Sequence, residues 1–272
     1  MPELPLITII TPSYNQACFI EQTIESVLDQ EYPCLQYIVM DGGSTDGTQA
    51  LLRKYDRHLE WFSERDRGQS HAVNKGLRLA AGEIVAFINS DDYYEPGALW
   101  AAGGFFAAHP DAAWLTGKCR TVDETGREIR RPVTLYKHLW LRLRSYRALQ
   151  VLNYVSQPAT FWSRKLLPEI GYLDEGLRYT MDYDYWLRIG KRYPLRTIDR
   201  CLACFRIHSC SKSGTTAHLQ FDEELETARR HSQSRRLLAL HRLHRAITVT
   251  IYRHLLIKED HRPMPAPLIE GT

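Results

Sequence analysis

A doubly acidic tip follows an apolar segment in the first half of the chain. Residues 84–88 are all apolar, and Asn89, Ser90, Asp91 and Asp92 follow at once. A buried strand that ends in two carboxylates is costly unless a positive charge is needed there, and Mg²⁺ and Mn²⁺ select such oxygen ligands. The other interpretation is a simple turn, which Asn and Asp favour. This segment alone leaves both interpretations open.

Strand-like and helix-like segments alternate through the first 110 residues. Short apolar runs predict strands at 6–10, 36–40, 61–62 and 84–88, and helical spacing predicts helices at about 20–28, 48–55 and 68–81. This alternation predicts an α/β fold with a mostly parallel sheet flanked by helices. In such sheets ligands bind beyond the carboxyl ends of the strands.

Acidic residues recur at these strand ends. Asp41 follows the second predicted strand, Asp66 the third and Asp91 the fourth. One acidic tip is explained by a turn, but three converging tips are better explained by a binding site. Residues after 110 change in pattern, with strands predicted at 113–117, 127–130, 159–162 and within 195–207, and helices at 134–152, from about 182 and from about 218.

The composition is that of an ordinary globular protein. Of 272 residues, 44% are hydrophobic and 25% charged, and the net charge of +3 gives no reason to expect a nucleic-acid partner. The six cysteines are scattered, and neither a signal peptide nor a membrane span is evident. We therefore expect a cytoplasmic protein with free thiols.

Six motifs in order resemble the inverting nucleotide-sugar glycosyltransferases of family 2, which have the GT-A fold. They are Thr11-Pro12-Ser13-Tyr14-Asn15, Asp41-Gly42-Gly43-Ser44-Thr45-Asp46-Gly47-Thr48, Asp66-Arg67-Gly68-Gln69-Ser70 with Asn74-Lys75-Gly76, Asn89-Ser90-Asp91-Asp92, Asp182-Tyr183-Asp184-Tyr185-Trp186-Leu187-Arg188 and Arg206-Ile207-His208. The resemblance implies a GT-A domain at 1–215, with a Rossmann-like nucleotide-binding half at 1–110 and an acceptor-binding half at 111–215. Residues 216–272 are predicted to form a helical extension with a disordered Pro-rich end.

The resemblance also assigns residues to the nucleotide. Those expected to bind it are Thr11, Pro12, Tyr14, Asp41, Asp66, Gln69, Asn89 and Ser90. Two of these have a purely structural alternative: Pro12 as a simple strand terminator, and Asp66 as the partner of Arg65 or Arg67 in a salt bridge.

A divalent cation, Mn²⁺ or Mg²⁺, is implied by the same resemblance. Asn89 and Asp91 point the same way along an extended chain, whereas Asp92 faces elsewhere and is expected to hold local structure. Asp91 is the expected metal ligand and His208 the second, although a lone histidine is more often structural. The family usually has Asp-x-Asp here, so the neutral Asn89 is a departure.

A zinc site of Cys201, Cys204 and Cys210 with His208 is disfavoured, because residues three apart in a strand face opposite sides.

An inverting transfer needs a base, and Asp182 and Asp184 compete for this role. Asp184 precedes Arg188 by four residues, so an ion pair explains it. Asp182 could cap a helix, but the family's base maps onto it, and we assign it as the base. Gln157 is expected to contact the acceptor.

The segment from 229 to 253 is basic and amphipathic. It predicts either a helix on an anionic membrane surface or a helix packed on the domain.

Together these features predict metal-dependent, inverting transfer of a sugar from a nucleoside diphosphate, most simply a UDP-type donor, to a glycan or lipid-linked glycan. The protein would be cytoplasmic, with peripheral membrane contact. A non-catalytic sugar- or nucleotide-binding module is the alternative; a nucleotidyltransferase would need a Gly-rich basic loop after the first strand, which is absent.

Overall fold

The computed structural model describes residues 3–209, 211 and 217–259. Its first half contains four parallel strands and three helices. These are β1 (Ile7–Ser13), α1 (Ile20–Leu28), β2 (Leu35–Asp41), α2 (Thr48–Arg53), β3 (Glu60–Ser63), α3 (Gln69–Leu79) and β4 (Ile84–Phe87).

The second half extends this sheet with antiparallel and parallel strands. Its elements are β5 (Tyr93–Tyr94), α4 (Ala98–Ala108), β6 (Trp114–Val122), α5 (Arg131–Leu143), α6 (Tyr146–Leu149), β7 (Thr160–Ser163), α7 (Leu167–Ile170), α8 (Met181–Gly190), β8 (Arg196–Arg206), α9 (Ala217–His231) and α10 (Arg235–Glu259). Within the described residues the sheet has eight strands, ordered β3-β2-β1-β4-β7-β6-β8-β5. The pairs β4–β7, β6–β7 and β5–β8 are antiparallel. The predicted α/β fold is confirmed.

Strand β1 lies between β2 and β4 and is buried along its whole length. Ile10 belongs to the core beneath α3, whereas Ile7 and Ile9 belong to the core beneath α1. Gly76 allows α3 to approach, since a Cβ there would lie 2.6 Å from Ile10 Cγ2. Apart from Thr8, the polar residues of β1 lie in its carboxyl-terminal part, from Thr11 to Ser13.

Two predicted elements differ from the structure. The expected strand at 127–130 forms only a bridge between Val122 and Glu128, because the Asp123 carboxylate accepts hydrogen bonds that close a tight turn. The expected helix at 134–152 is divided. Arg144 adopts a left-handed backbone conformation (φ 47°), and Ser145 then caps α6 by accepting a hydrogen bond from the Ala148 N–H.

The C-terminal helices pack against elements of the region 111–215. In α9, Thr227 Oγ1 lies 2.9 Å from Thr180 Oγ1, and His231 Nε2 lies 2.7 Å from Asp184 Oδ1. In α10, His241 Nδ1 lies 3.0 Å from the Gln150 carbonyl oxygen. The Pro-rich end and Cys210 lie outside the described residues. In the part of the chain that is described, no helix is both long enough and apolar enough to cross a bilayer.

Candidate active site

A cavity of about 1190 Å³ lies beyond the carboxyl ends of β1 and β4, where α/β sheets bind ligands. Its volume exceeds the about 300–1,000 Å³ typical of small-molecule sites. The cavity brings together nine residues predicted from the sequence, namely Pro12, Tyr14, Asp66, Gln69, Asn89, Ser90, Asp91, Gln157 and Asp182.

Asp91 lines this cavity, and His208, which is not among the lining residues in the described chain, is hydrogen-bonded to Asp91. Asp91 Oδ2 lies 3.0 Å from His208 Nε2, and His208 packs against the Phe19 ring. Two adjacent ligands of an octahedral ion at about 2.1 Å lie about 3.0 Å apart, so the pair fits a small divalent cation. In the described residues no cluster of three or more His, Cys, Asp or Glu could hold a metal. The remaining ligands would then be water, substrate oxygens or neutral protein oxygens.

Asp92 is fully buried, and protein groups hold its carboxylate. Its Oδ1 accepts a hydrogen bond of 2.8 Å from the Arg206 N–H, and its Oδ2 accepts one of 3.1 Å from Asn89 Nδ2. Burial, reinforced by the adjacent Asp91 charge, raises the pKa of Asp92 well above its ordinary value. Asp92 thus links the acidic tip to β8, the strand that leads to His208.

The neutral Asn89 has a clear structural role. Its Oδ1 accepts a hydrogen bond of 2.5 Å from Gln69 Nε2 while its Nδ2 donates to Asp92. An aspartate could not donate to Asp92 and would add a second negative charge beside it. The amide therefore suits the partners that surround this position.

Asp41 and Thr11 lie beneath the cavity wall. The Asp41 carboxylate accepts hydrogen bonds from the backbone N–H groups of Gly43 and Ser44 and from the hydroxyls of Ser44 and Ser63. The Thr11 hydroxyl is hydrogen-bonded to the Tyr37 hydroxyl at 3.1 Å. Neither residue is among those that line the cavity in the described chain. A direct contact of either with a nucleotide stays a prediction.

Asp66 lies at the cavity beside Gly42. Its Oδ1 accepts a hydrogen bond of 2.7 Å from the Gly68 N–H. A Cβ on Gly42 would lie 2.6 Å from Asp66 Oδ2 and 3.3 Å from the Tyr14 ring, so glycine permits both side chains to approach. Arg67, considered above as an ion-pair partner of Asp66, pairs instead with Glu175 at 2.6 Å.

Several residues that line the cavity carry a buried polar atom with no hydrogen-bond partner among the described residues. Two of these atoms, Ser13 Oγ and Gln157 Oε1, belong to the motifs singled out above or to the predicted acceptor contact. The Gln157 amide nitrogen donates to the Phe87 carbonyl, which fixes the side chain. Buried polar atoms are usually satisfied, so both atoms are candidates for contact with a ligand. Sequence reasoning missed Ser13, because it ended the first strand at residue 10, whereas β1 continues to Ser13.

The two candidate bases lie in different surroundings. Asp184 accepts hydrogen bonds from Arg188 at 2.8 Å and is paired with His231 at 2.7 Å. Burial alone would raise its pKa, but these two partners lower it below the ordinary value. Asp182 lines the cavity, and burial raises its pKa to about 6, although the hydrogen bond from the Tyr183 N–H and the Lys137 charge oppose this. Of the two candidates, only Asp182 lines the cavity and has a raised pKa.

Helix α9 adds groups that sequence reasoning missed. Glu223 accepts hydrogen bonds from the N–H groups of Arg178, Tyr179 and Thr180, which precede α8. Glu224 lines the cavity, and burial, together with the nearby Asp182 charge, raises its pKa to about 7. No local pattern could have identified these glutamates, because their roles depend on the packing of α9 against α8.

The sheet and the grouped polar side chains define an α/β protein of the GT-A type. Residues 8–171 match the family model described as Glycosyl transferase family 2. Since this match covers more than half of the chain, the chain belongs to that family, and the resemblance noted from the motifs is confirmed.

Relatives of known name share different parts of the chain. TuaG of Bacillus subtilis (strain 168), named for teichuronic acid biosynthesis, is 43% identical over 96 residues, which are 34% of this chain and 38% of TuaG. Chondroitin synthase from Escherichia coli is 27% identical over 203 residues, or 74% of this chain and 29% of that protein. The chain thus spans well under half the length of these two relatives.

Solved structures share the fold. S. aureus TarS 1-349 in complex with UDP-GlcNAc superposes with a TM-score of 0.63 at 20% identity, covering 82% of this chain and 65% of the other. The mannosyltransferase PcManGT from Pyrobaculum calidifontis, in complex with GDP-Man and Mn²⁺, gives 0.66 at 21% identity, covering 88% and 69%. At these identities the likeness establishes the fold.

Proposed function

We propose that this protein transfers a hexose-type sugar from a nucleoside-diphosphate donor to an acceptor hydroxyl, with inversion at the sugar carbon and with Mn²⁺ or Mg²⁺ bound. The observation that carries the proposal is that Asp91, the partner of His208, and Asp182, with its raised pKa, line the same cavity. A donor diphosphate and an acceptor hydroxyl can therefore meet within one site.

Asp91 and His208 are the proposed metal ligands. A divalent cation there would act as a Lewis acid that offsets the charge developing on the leaving diphosphate. Asp91 supplies negative charge at the cavity wall, the Phe19 ring packs against His208, and Asp92 accepts a hydrogen bond from the Arg206 N–H in the strand that leads to His208. The buried His208 ring is packed tightly, so its Nε2 has a fixed direction.

Asp182 is the proposed base. It would take the proton from the acceptor hydroxyl while the oxygen forms a bond to the anomeric carbon and the bond to the nucleoside diphosphate breaks. Attack from the face opposite the leaving group inverts the configuration. At neutral pH a carboxyl with a pKa of about 6 is ionised and still basic enough to accept this proton.

The donor contacts proposed for the nucleotide half are Thr11, Pro12, Tyr14, Asp41, Asp66, Gln69, Asn89 and Ser90, with Ser13 added from the structure. A UDP-type donor is proposed because TarS was solved with UDP-GlcNAc. Gln157 is the proposed acceptor contact. The acceptor proposed is a glycan or lipid-linked glycan in polysaccharide assembly, at the cytoplasmic face of a membrane, and TuaG and chondroitin synthase are relatives whose names fit such a role.

A thermal-shift panel tests this function. UDP-, GDP- and dTDP-sugars are added with and without Mn²⁺, and a ligand that binds only the folded state raises the melting temperature. We expect one nucleotide class to raise it, and more strongly with Mn²⁺. A flat response to every nucleotide contradicts the transferase proposal.

Release of the nucleoside diphosphate separates the two remaining functions. A transferase releases it from the donor that binds, at a rate that depends on Asp182. A protein that binds the donor and never releases nucleoside diphosphate, with any acceptor supplied, is a non-catalytic sugar- or nucleotide-binding module.

A further inference from the structure

Three leucines of α5 point away from the core. Leu135, Leu139 and Leu143 recur every four residues and are 59%, 58% and 60% exposed. Residues at this spacing share one helix face. The same helix buries Thr134 and Leu141 on its other side. α5 therefore presents an apolar stripe that no described part of the protein covers.

Helix α10 presents a second apolar stripe. Leu240, Leu243, Ile247 and Ile251 are all about half exposed. The face that contacts the domain includes Leu238, which packs on the core, and the buried His241. Leu240 and Leu243 on this face are exposed away from the domain, whereas Ile247 and Ile251 lie where the same face borders the cavity.

The two stripes meet at one pair of rings. Tyr136 of α5 stacks on His244 of α10, with ring centroids 6.0 Å apart and an interplanar angle of 13°. Tyr136 is itself 40% exposed. Together the residues form one outer apolar surface, made of Leu135, Tyr136, Leu139, Leu143, Leu240, Leu243, Ile247 and Ile251. An exposed apolar patch of this kind marks an interaction site.

The charge around this surface identifies the occupant. Residues 129–168 and 235–258 contain no Asp or Glu. The arginines in and near the two helices include Arg131, Arg142, Arg144, Arg147, Arg235, Arg236 and Arg242. We propose that the outer apolar surface lies on a bilayer that contains anionic lipid. Apolar side chains would enter the interface while the surrounding arginines contact lipid headgroups. A second copy of this chain is a less suitable partner, because the arginines of the two copies would repel one another.

The same helices also line the cavity. Tyr136 and Lys137 of α5 and His244, Ile247 and Ile251 of α10 are among its lining residues. The cavity therefore adjoins the outer apolar surface. If the protein is a transferase, which is the function proposed above, an acceptor anchored in the bilayer would reach Asp182 from this side.

Vesicle sedimentation tests the surface independently of catalysis. The purified chain is mixed with vesicles of phosphatidylcholine alone or with one quarter phosphatidylglycerol. The double variant Leu139→Gln, Leu243→Gln changes two exposed residues that do not line the cavity. Leu79→Gln, which changes a 46% exposed leucine on α3, is the matched control. We expect binding to the anionic vesicles, about tenfold or more weaker binding by the double variant, and unchanged binding by the control.

Three results would overturn the proposal. They are the absence of wild-type sedimentation with anionic vesicles, equal sedimentation of the double variant, and a wild-type dimer that the double variant converts to a monomer without any lipid binding. Nucleotide thermal shifts recorded on the same samples distinguish failure of the membrane proposal from failure of the transferase proposal. If nucleotide raises the melting temperature but the protein does not bind vesicles, only the membrane proposal is contradicted.

Discussion

Glu223 Oε1 accepts a hydrogen bond of 2.8 Å from the Thr180 N–H, although 43 residues separate the two positions. The same oxygen also accepts from the Thr180 hydroxyl at 2.9 Å. A carboxylate of α9 therefore satisfies N–H groups at the start of α8, a place where negative charge is stabilising. Asp182, two residues further on, is left to face the cavity.

Replacing Glu223 tests whether α9 positions the proposed base. Glu223→Ala should lower kcat about 10- to 100-fold, because a small displacement of a reacting group is costly, and should leave the donor KM unchanged. Glu223→Gln keeps an acceptor oxygen and should lose less. Glu226→Gln, an exposed neighbour on α9, is the control. A wild-type kcat in a folded Glu223→Ala protein would show that this contact is structural only.

Asp182→Asn tests the base itself. The amide is nearly isosteric but cannot take a proton, so turnover should fall by about 10²–10⁴. Nucleotide-induced thermal shifts should persist, since Asp182 is assigned to the acceptor step. Asp184→Asn should instead lower the melting temperature, because it removes a charge that pairs with Arg188 and His231. Near-normal turnover in Asp182→Asn would reject the assignment.

The pH dependence follows from the raised pKa of Asp182. The base acts when ionised, so kcat/KM should fall as the pH drops through about 6. Glu224, with a pKa of about 7, titrates in the same range, and the profile then reports both carboxyls. In the Glu224→Gln variant the pH profile of kcat/KM should no longer contain the titration of Glu224.

Replacing Lys137 should shift the pH dependence of kcat/KM in a direction that can be tested. Its positive charge lowers the pKa of both carboxyls. Lys137→Met should therefore move the acidic limb of kcat/KM to higher pH. Lys54→Met, at an exposed pair with Glu21, should leave it in place. A limb that stays fixed or moves to lower pH in Lys137→Met would contradict the electrostatic account of this cluster.

Asn89→Asp tests why the acidic tip carries an amide. The new carboxylate would lose the donated hydrogen bond to Asp92 and repel its charge, so we expect unfolding to become easier by about 1–3 kcal/mol at pH 8. Protonation should relieve the repulsion, giving a smaller loss at pH 5. Asn89→Ala loses the hydrogen bond without adding charge, so its cost should vary less with pH. Equal losses for Asn89→Asp at both pH values would exclude charge repulsion as the reason.

Much of the fold of residues 1–110 could be predicted from local patterns. The apolar runs mark the strands, and the polar residues Asp66 and Asp91 that follow two of them line the cavity, whereas Asp41 does not. Because side chains alternate along an extended chain, Asp91 and Asp92 are expected to face different sides. The closed turn at Asp123 and the break at Arg144 could not be predicted, because they depend on single hydrogen bonds and one backbone angle. The roles of Glu223 and Glu224 also escape local patterns, since α9 reaches α8 only through tertiary packing.

The most direct test is a calorimetric titration of Mn²⁺ into the protein with UDP present. The central claim is that Asp91 and His208 hold the cation that joins the diphosphate to the protein. We predict saturable binding by the wild type, at least about 100-fold weaker binding by Asp91→Asn and by His208→Ala, and unchanged binding by the exposed control Asp111→Asn. Equal Mn²⁺ affinity in all four proteins would contradict the account.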